Sequence, residues 1–113
     1  MINIEYDENG KIKHNGERYK AIKELDQKLT ELGIPHEMHE MLDGYQICVP
    51  EQYEPNCFEG DVIEHFGSYG AEQDLLEVYG FNLDDPDGYL TVEQALEYFI
   101  KWNNTHTERG KDD

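Results

Sequence analysis

The sequence predicts an α+β fold, a small, mostly antiparallel sheet with helices packed on one face. Three observations predict it. Apolar residues recur at helical spacing from about residue 17 to 32 and again from 92 to 100. Between these stripes lie short runs in which apolar and polar residues alternate. Gly, Asp and Pro separate the runs, and two of the runs flank Asp43-Gly44, a dipeptide favoured in tight hairpins. A chain of 113 residues can bury one core, and we read residues 1–103 as a single domain followed by a polar, frayed tail at 104–113.

Ile2, Ile4 and Tyr6 alternate in "INIEY", a short strand that "DENG" turns toward a ribbon with "KIKH". Tyr19, Ile22, Leu25, Leu29 and Leu32 then line one helical face, with Gly33 as the stop and Pro35 just beyond. Glu24 and Lys28 add a favourable i, i+4 pair. In "IPHEMHEMLDGYQICVP" two strand-like runs flank Asp43-Gly44, a dipeptide suited to a tight hairpin. Tyr45, Ile47 and Val49 face one way, Gln46 and Cys48 the other, and Pro50 ends the ladder. "GDVIEHF" (60–66) reads as a third strand, "GSYG" (67–70) as a turn, and 71–80 as a short helix or a strand. Thr91 and Gln94 form a capping box. The helix it opens runs over 91–103, with Val92, Ala95, Leu96, Phe99 and Ile100 on one stripe.

"LDDPDGYLTVEQA" (83–95) resembles a calcium-binding loop of the EF-hand type. With Gly88 at the sixth position, Asp85 and Asp87 fall at the third and fifth and Thr91 at the ninth. Both ends fail, because Leu83 stands at the first position and Gln94 at the twelfth. Pro86 also fixes φ where the loop must wrap. A turn running into a capped helix accounts for the same letters, and no metal is expected. Binding of a divalent cation around 84–93 stays as an alternative.

Other chemistry meets obstacles of spacing. His36 and His39 lie three apart on a strand, so they point to opposite faces, and Cys48 and Cys57 are too far apart for a zinc knuckle. A thiolate at Cys48 or Cys57 would form against surrounding carboxylates. In "FGSYG", Phe66 stands where a nucleophile elbow around Ser68 needs Gly. No catalytic residue and no cofactor is expected. No apolar run reaches the roughly 20 residues of a membrane span. The N-terminus lacks the basic and apolar regions of a signal peptide. The expected compartment is therefore the cytoplasm, with both cysteines as free thiols.

Charge dominates the composition. The chain carries 26 Asp and Glu against 9 Lys and Arg, a formal net charge of −17. Between Lys28 and Lys101 there is no Lys or Arg at all. A nucleic acid would be repelled, which excludes direct nucleic-acid binding. The acids come in groups: Glu93 and Glu97 share an outward helix face, Asp84, Asp85 and Asp87 lie in the turn before it, and Glu72, Asp74 and Glu77 precede that turn. Such an array imitates a row of phosphates to a basic groove, set against the plainer reading of a solvated acidic face. Tyr98 and Trp102 flank the acidic side of the helix, as core edge or as anchors of an interface.

"LDGYQICVP", "HFGSYG", "LLEVYG" and "GYLTVEQALEYF", in that order over Leu32–Phe99, resemble a family of small uncharacterised acidic proteins. Phages and integrated elements of low-GC Gram-positive bacteria encode them. No reaction and no site residues come with that resemblance, and the Gly and Tyr of these landmarks read as structural. The context it implies is that of phage inhibitors, such as anti-CRISPR and anti-restriction proteins, that occupy a nucleic-acid groove. The expected function is a non-enzymatic nucleic-acid mimic binding a basic, nucleic-acid-binding host protein. A phage structural or assembly part is the other alternative.

Overall fold

The structure, a computed structural model, describes residues 2–51 and 59–111, with 106–111 as backbone alone. Its elements are helix α1 (Lys20–Glu31), strands β1 (Glu37–Met41), β2 (Gly44–Val49) and β3 (Gly60–Glu64), a 3-10 turn at Ala71–Gln73, strands β4 (Leu76–Gly80) and β5 (Asp87–Leu90), and helix α2 (Val92–Lys111). The five strands form one antiparallel sheet in the order β1-β2-β3-β4-β5, each paired with its neighbour in sequence. The N-terminal ribbon reduces to one bridge, Tyr6 with Ile12.

Register decides what each face of the sheet carries. Ile47, Val62 and Val78 are direct partners across β2, β3 and β4, and all three are fully buried. Helix α1 packs over β2 and β3, and α2 over β4 and β5, with the two helices touching each other. The core closes with Ile22, Leu25 and Leu29 from α1 and Ala95 and Phe99 from α2. Each such side chain contributes about 1.5–3 kcal/mol relative to exposure, Ala95 less. The opposite face carries Gln46, Cys48, Asp61, Ile63, Glu77 and Tyr79.

The ends of α1 are built differently from each other. Its C-terminus is local: Gly33 adopts φ +71°, Gly33 N–H donates to the Thr30 carbonyl, and Ile34 N–H donates to that of Leu29, a Schellman closure. Leu32, expected on the buried stripe, lies beyond the last turn and is exposed. The N-terminus has no cap from its own neighbourhood. Its amides find acceptors far away in sequence. Asp74 Oδ1 accepts from Lys20 N–H and Ala21 N–H at 3.1 and 3.0 Å, and Glu64 Oε1 accepts from Ile22 N–H at 3.2 Å.

Helix α2 opens on the expected capping box, Gln94 N–H to Thr91 Oγ1 and Thr91 N–H to Gln94 Oε1. It continues past residue 103 to Lys111, so most of the expected frayed tail has helical backbone. The hairpin turn is shifted by one residue from the sequence expectation. Met41 pairs with Gly44, so the connecting residues are Leu42, at φ 55°, and Asp43, rather than Asp43 and Gly44. Gly44 serves another purpose there. A Cβ at this position would overlap the Glu64 carbonyl, so glycine is what lets β2 approach β3.

Candidate functional site

The acidic residues singled out in sequence separate into different settings. On α2, Glu93 and Glu97 are exposed one turn apart. Asp84 and Asp85 are exposed in the β4–β5 connection. Glu72 is exposed on the 3-10 turn. The other three hold the fold: Asp74 caps α1, Glu77 Oε1 accepts Tyr69 N–H at 2.8 Å, and Asp87 Oδ2 accepts the Tyr98 hydroxyl at 2.6 Å. Glu77 projects from the side of the sheet opposite the helices, being the partner of Ile63. The acids therefore make no single array. Neighbours in sequence face apart.

Two concavities gather some of them. The smaller, about 420 Å³, lies where the N-termini of α1 and α2 meet and is lined by Glu24, Asp74 and Glu93 with Lys20. The larger, about 590 Å³, lies between α2 and the β4–β5 end of the sheet. Its aromatic wall is Phe81, Tyr98 and Trp102, and its carboxylates are Glu59, Asp87 and Glu97. Lys101 is the one cation among its described lining residues.

Local geometry explains that wall. Gly80, Phe81 and Asn82 all adopt positive φ, at 82°, 50° and 66°. For Phe this left-handed conformation costs about 1–2 kcal/mol. It swings the ring over Gly60, where a Cβ would collide with it. There Phe81 stacks on Tyr98, centroids 5.8 Å apart at 27°, and meets Phe99 edge-on at 5.2 Å. Its hydrogen bond to Asp87, with a smaller contribution from burial, raises the Tyr98 phenol above its ordinary pKa, and the pairing holds ring and carboxylate together at the cleft.

A second group of acids is interior. Glu64 is fully buried. Desolvation, then a hydrogen bond to Asp74 and the charge of Asp74, push its carboxyl up to about 9. Among the described residues no donor points at Glu64 Oε2. The protonated carboxyl is itself the donor there, toward Asp74, so one of the formal negative charges is absent at pH 7. Asp43 is buried with the Tyr19 hydroxyl and Phe66 N–H on its two oxygens. On the far face of the sheet His39 donates to Gln46 Oε1 at 2.7 Å and Gln46 donates to Asp61 Oδ2 at 2.6 Å. Burial lifts Asp61 to about 6.

The nucleophile candidates have settled environments. Burial, then the nearby Asp61 and Glu37 charges, raise the Cys48 thiol to about 12, which suppresses the thiolate. Cys57 lies outside the described residues. Ser68 Oγ donates to the His65 carbonyl at 2.8 Å, while the His65 ring, through Nδ1, accepts Gly67 N–H at 3.0 Å. Serine and imidazole are thus neighbours joined through backbone, and the imidazole is held below its ordinary pKa by burial. Among the described residues no group of three or more His, Cys, Asp or Glu is placed to hold a metal ion, and no helix is long and apolar enough to cross a membrane. Residues 87–90 of the calcium-like segment form strand β5.

Sequence reading missed three features. Tyr69, Tyr79 and Tyr89, read as structural, are exposed at 58%, 44% and 60%, because the turn and strand positions they occupy point away from both helices. Phe81 and Glu59 reach the α2 cleft through backbone pairing of 81 with 59. Glu64 was anonymous among the carboxylates. An acid on the same face as a buried valine two residues earlier in the strand (Glu64 follows Val62) is the signal that marked it. No family model, curated protein or solved structure matches this chain.

Proposed function

We propose that this protein is a non-enzymatic interaction module whose acidic surface binds a basic, nucleic-acid-binding protein and competes with nucleic acid for its groove. The observation that carries this reading is the helix–sheet edge formed by α2 and the β4–β5 connection. There Asp87 and Glu97 line a cleft walled by Phe81, Tyr98 and Trp102, while Asp84 and Asp85 are exposed on the β4–β5 connection and Glu93 on the first turn of α2. Carboxylates in this arrangement speed encounter with a basic groove, and half-exposed aromatics supply the anchoring contact. The seat of the charge is narrower than the sequence count suggested, since Asp74, Asp87 and Glu77 also hold the fold and Glu64 is neutral. Inhibitors of phage defence systems, of the anti-CRISPR or anti-restriction kind, are the class of activity this reading belongs to.

The test starts from capture on the tagged protein out of lysate of a low-GC Gram-positive host. The retained protein is then purified and titrated from about 0.05 to 0.5 M salt, with and without competing duplex DNA. Affinity is expected to fall steeply with salt and to be abolished by DNA. The triple variant Asp84→Lys, Asp85→Lys, Glu93→Lys should lose binding while keeping its unfolding midpoint. Unchanged affinity in that variant refutes the reading. Calcium separates the divalent-ion alternative: with Asp87 committed to β5 and Tyr98, millimolar calcium is expected to leave the unfolding midpoint unmoved, and a rise would reassign residues 84–93 to ion binding.

A further inference from the structure

We propose that the cleft between α2 and the β4–β5 end of the sheet takes the guanidinium group of an arginine side chain presented by the basic partner. This inference rests on the acidic-interaction reading and locates the contact that such a partner makes. The cleft combines two things an organic cation needs. Phe81, Tyr98 and Trp102 offer ring faces and edges, and Asp87 and Glu97 offer carboxylate oxygens from two different elements. Asp87 spends one oxygen, Oδ2, on the Tyr98 hydroxyl. Glu97 is exposed on α2.

Charge and shape together choose the occupant. A phosphate or carboxylate ligand would meet three acids against Lys101. An apolar side chain would strip water from those acids and return no hydrogen bond. A planar guanidinium satisfies both walls, stacking on an aromatic face while its N–H fork donates to carboxylate oxygens. Lysine, a strongly hydrated point charge, gains less from the rings. Lys101 sits one turn beyond Glu97 on the same helix. Its positive charge lines the same cleft and opposes an incoming arginine, so removing it favours binding.

Trp102 is the only tryptophan of the chain and lines the cleft, so its fluorescence reports occupancy directly. The probes are the peptide acetyl-Gly-Arg-Gly amide and its citrulline counterpart, which keeps the shape and loses the charge. The arginine peptide is expected to shift Trp102 emission saturably in the millimolar range, and citrulline to bind at least about tenfold more weakly. Glu97→Gln should weaken the arginine peptide about tenfold, and Lys101→Met should tighten it a few-fold. An unchanged unfolding midpoint shows that either variant is folded. No saturable shift, equal binding of both peptides, or unaltered affinity in Glu97→Gln overturns the proposal.

The two readings fail separately. Salt-dependent, DNA-competed capture of a basic protein that is insensitive to Glu97→Gln keeps the acidic surface and removes the arginine cleft. Arginine-peptide binding without any DNA-competed partner keeps the cleft and removes the nucleic-acid-mimic reading.

Discussion

Replacing Glu64 by glutamine is expected to stabilise the protein at neutral pH, although a fully buried side chain is being changed. Glu64 sits beneath the first turn of α1, its Oε1 accepting from Ile22 N–H and its carboxyl proton shared toward Asp74. The folded state holds that proton up to about pH 9, whereas the unfolded chain releases it near the ordinary value of 4.5. Folding therefore takes up a proton between these two values, and stability falls as pH rises through that window. The slope is about 1.4 kcal/mol per pH unit, so by pH 7 about 3 kcal/mol has been lost relative to acid conditions. The glutamine side chain would keep the acceptor for Ile22 N–H and offer an amide N–H to Asp74, with nothing to ionise. Wild type and Glu64→Gln should be compared by urea unfolding, followed by Trp102 emission, from about pH 5 to 8. Asp61, raised to about 6, and His65, held low, titrate in both proteins and cancel in the difference. The gap in favour of the variant should be small at pH 5 and open steadily with pH. A gap that stays constant, or a variant less stable throughout, would refute the protonated Glu64–Asp74 pair.

Other perturbations follow from single contacts. Asp74→Ala removes the acceptor for two α1 amides and places alanine at φ 56°, for an expected loss of about 2 kcal/mol in urea unfolding. Gly44→Ala forces β2 away from the Glu64 carbonyl, with an expected cost of about 3 kcal/mol and a lowered thermal midpoint. A midpoint within a degree or so of wild type would contradict that packing. In a Cys57→Ser background, Cys48 is expected to resist a disulfide reagent at pH 8 and to react on denaturation, because its thiol stands near 12. Rapid labelling of the native protein would show the site to be open.

Local signals in the chain carried a good part of this architecture. The stripe from Tyr19 to Leu29, the Gly33 stop and the Thr91–Gln94 box each act within a few residues, so α1, its C-terminus and the start of α2 were legible. Alternation in "YQICV" likewise placed Ile47 and Val49 on one face of the sheet, the one the helices cover. The hairpin turn was misplaced by one residue because Gly44 answers to a strand neighbour rather than to its own dihedral angles. Of the candidate site, Glu97, Tyr98 and Trp102 were readable on helix α2. Asp87 was grouped with them, but Phe81 and Glu59 were not, since only strand pairing brings residue 59 beside 81.

Composition alone determined the sign of the net charge and the absence of Lys and Arg between Lys28 and Lys101. Tertiary structure decided which acids are charge and which are scaffold. Asp74 and Glu64, distant from α1 in sequence, fold onto its first amides, and the burial that brings them there leaves one of them protonated. A carboxylate's charge depends on the water and neighbours around it, and those belong to the fold rather than to the letter.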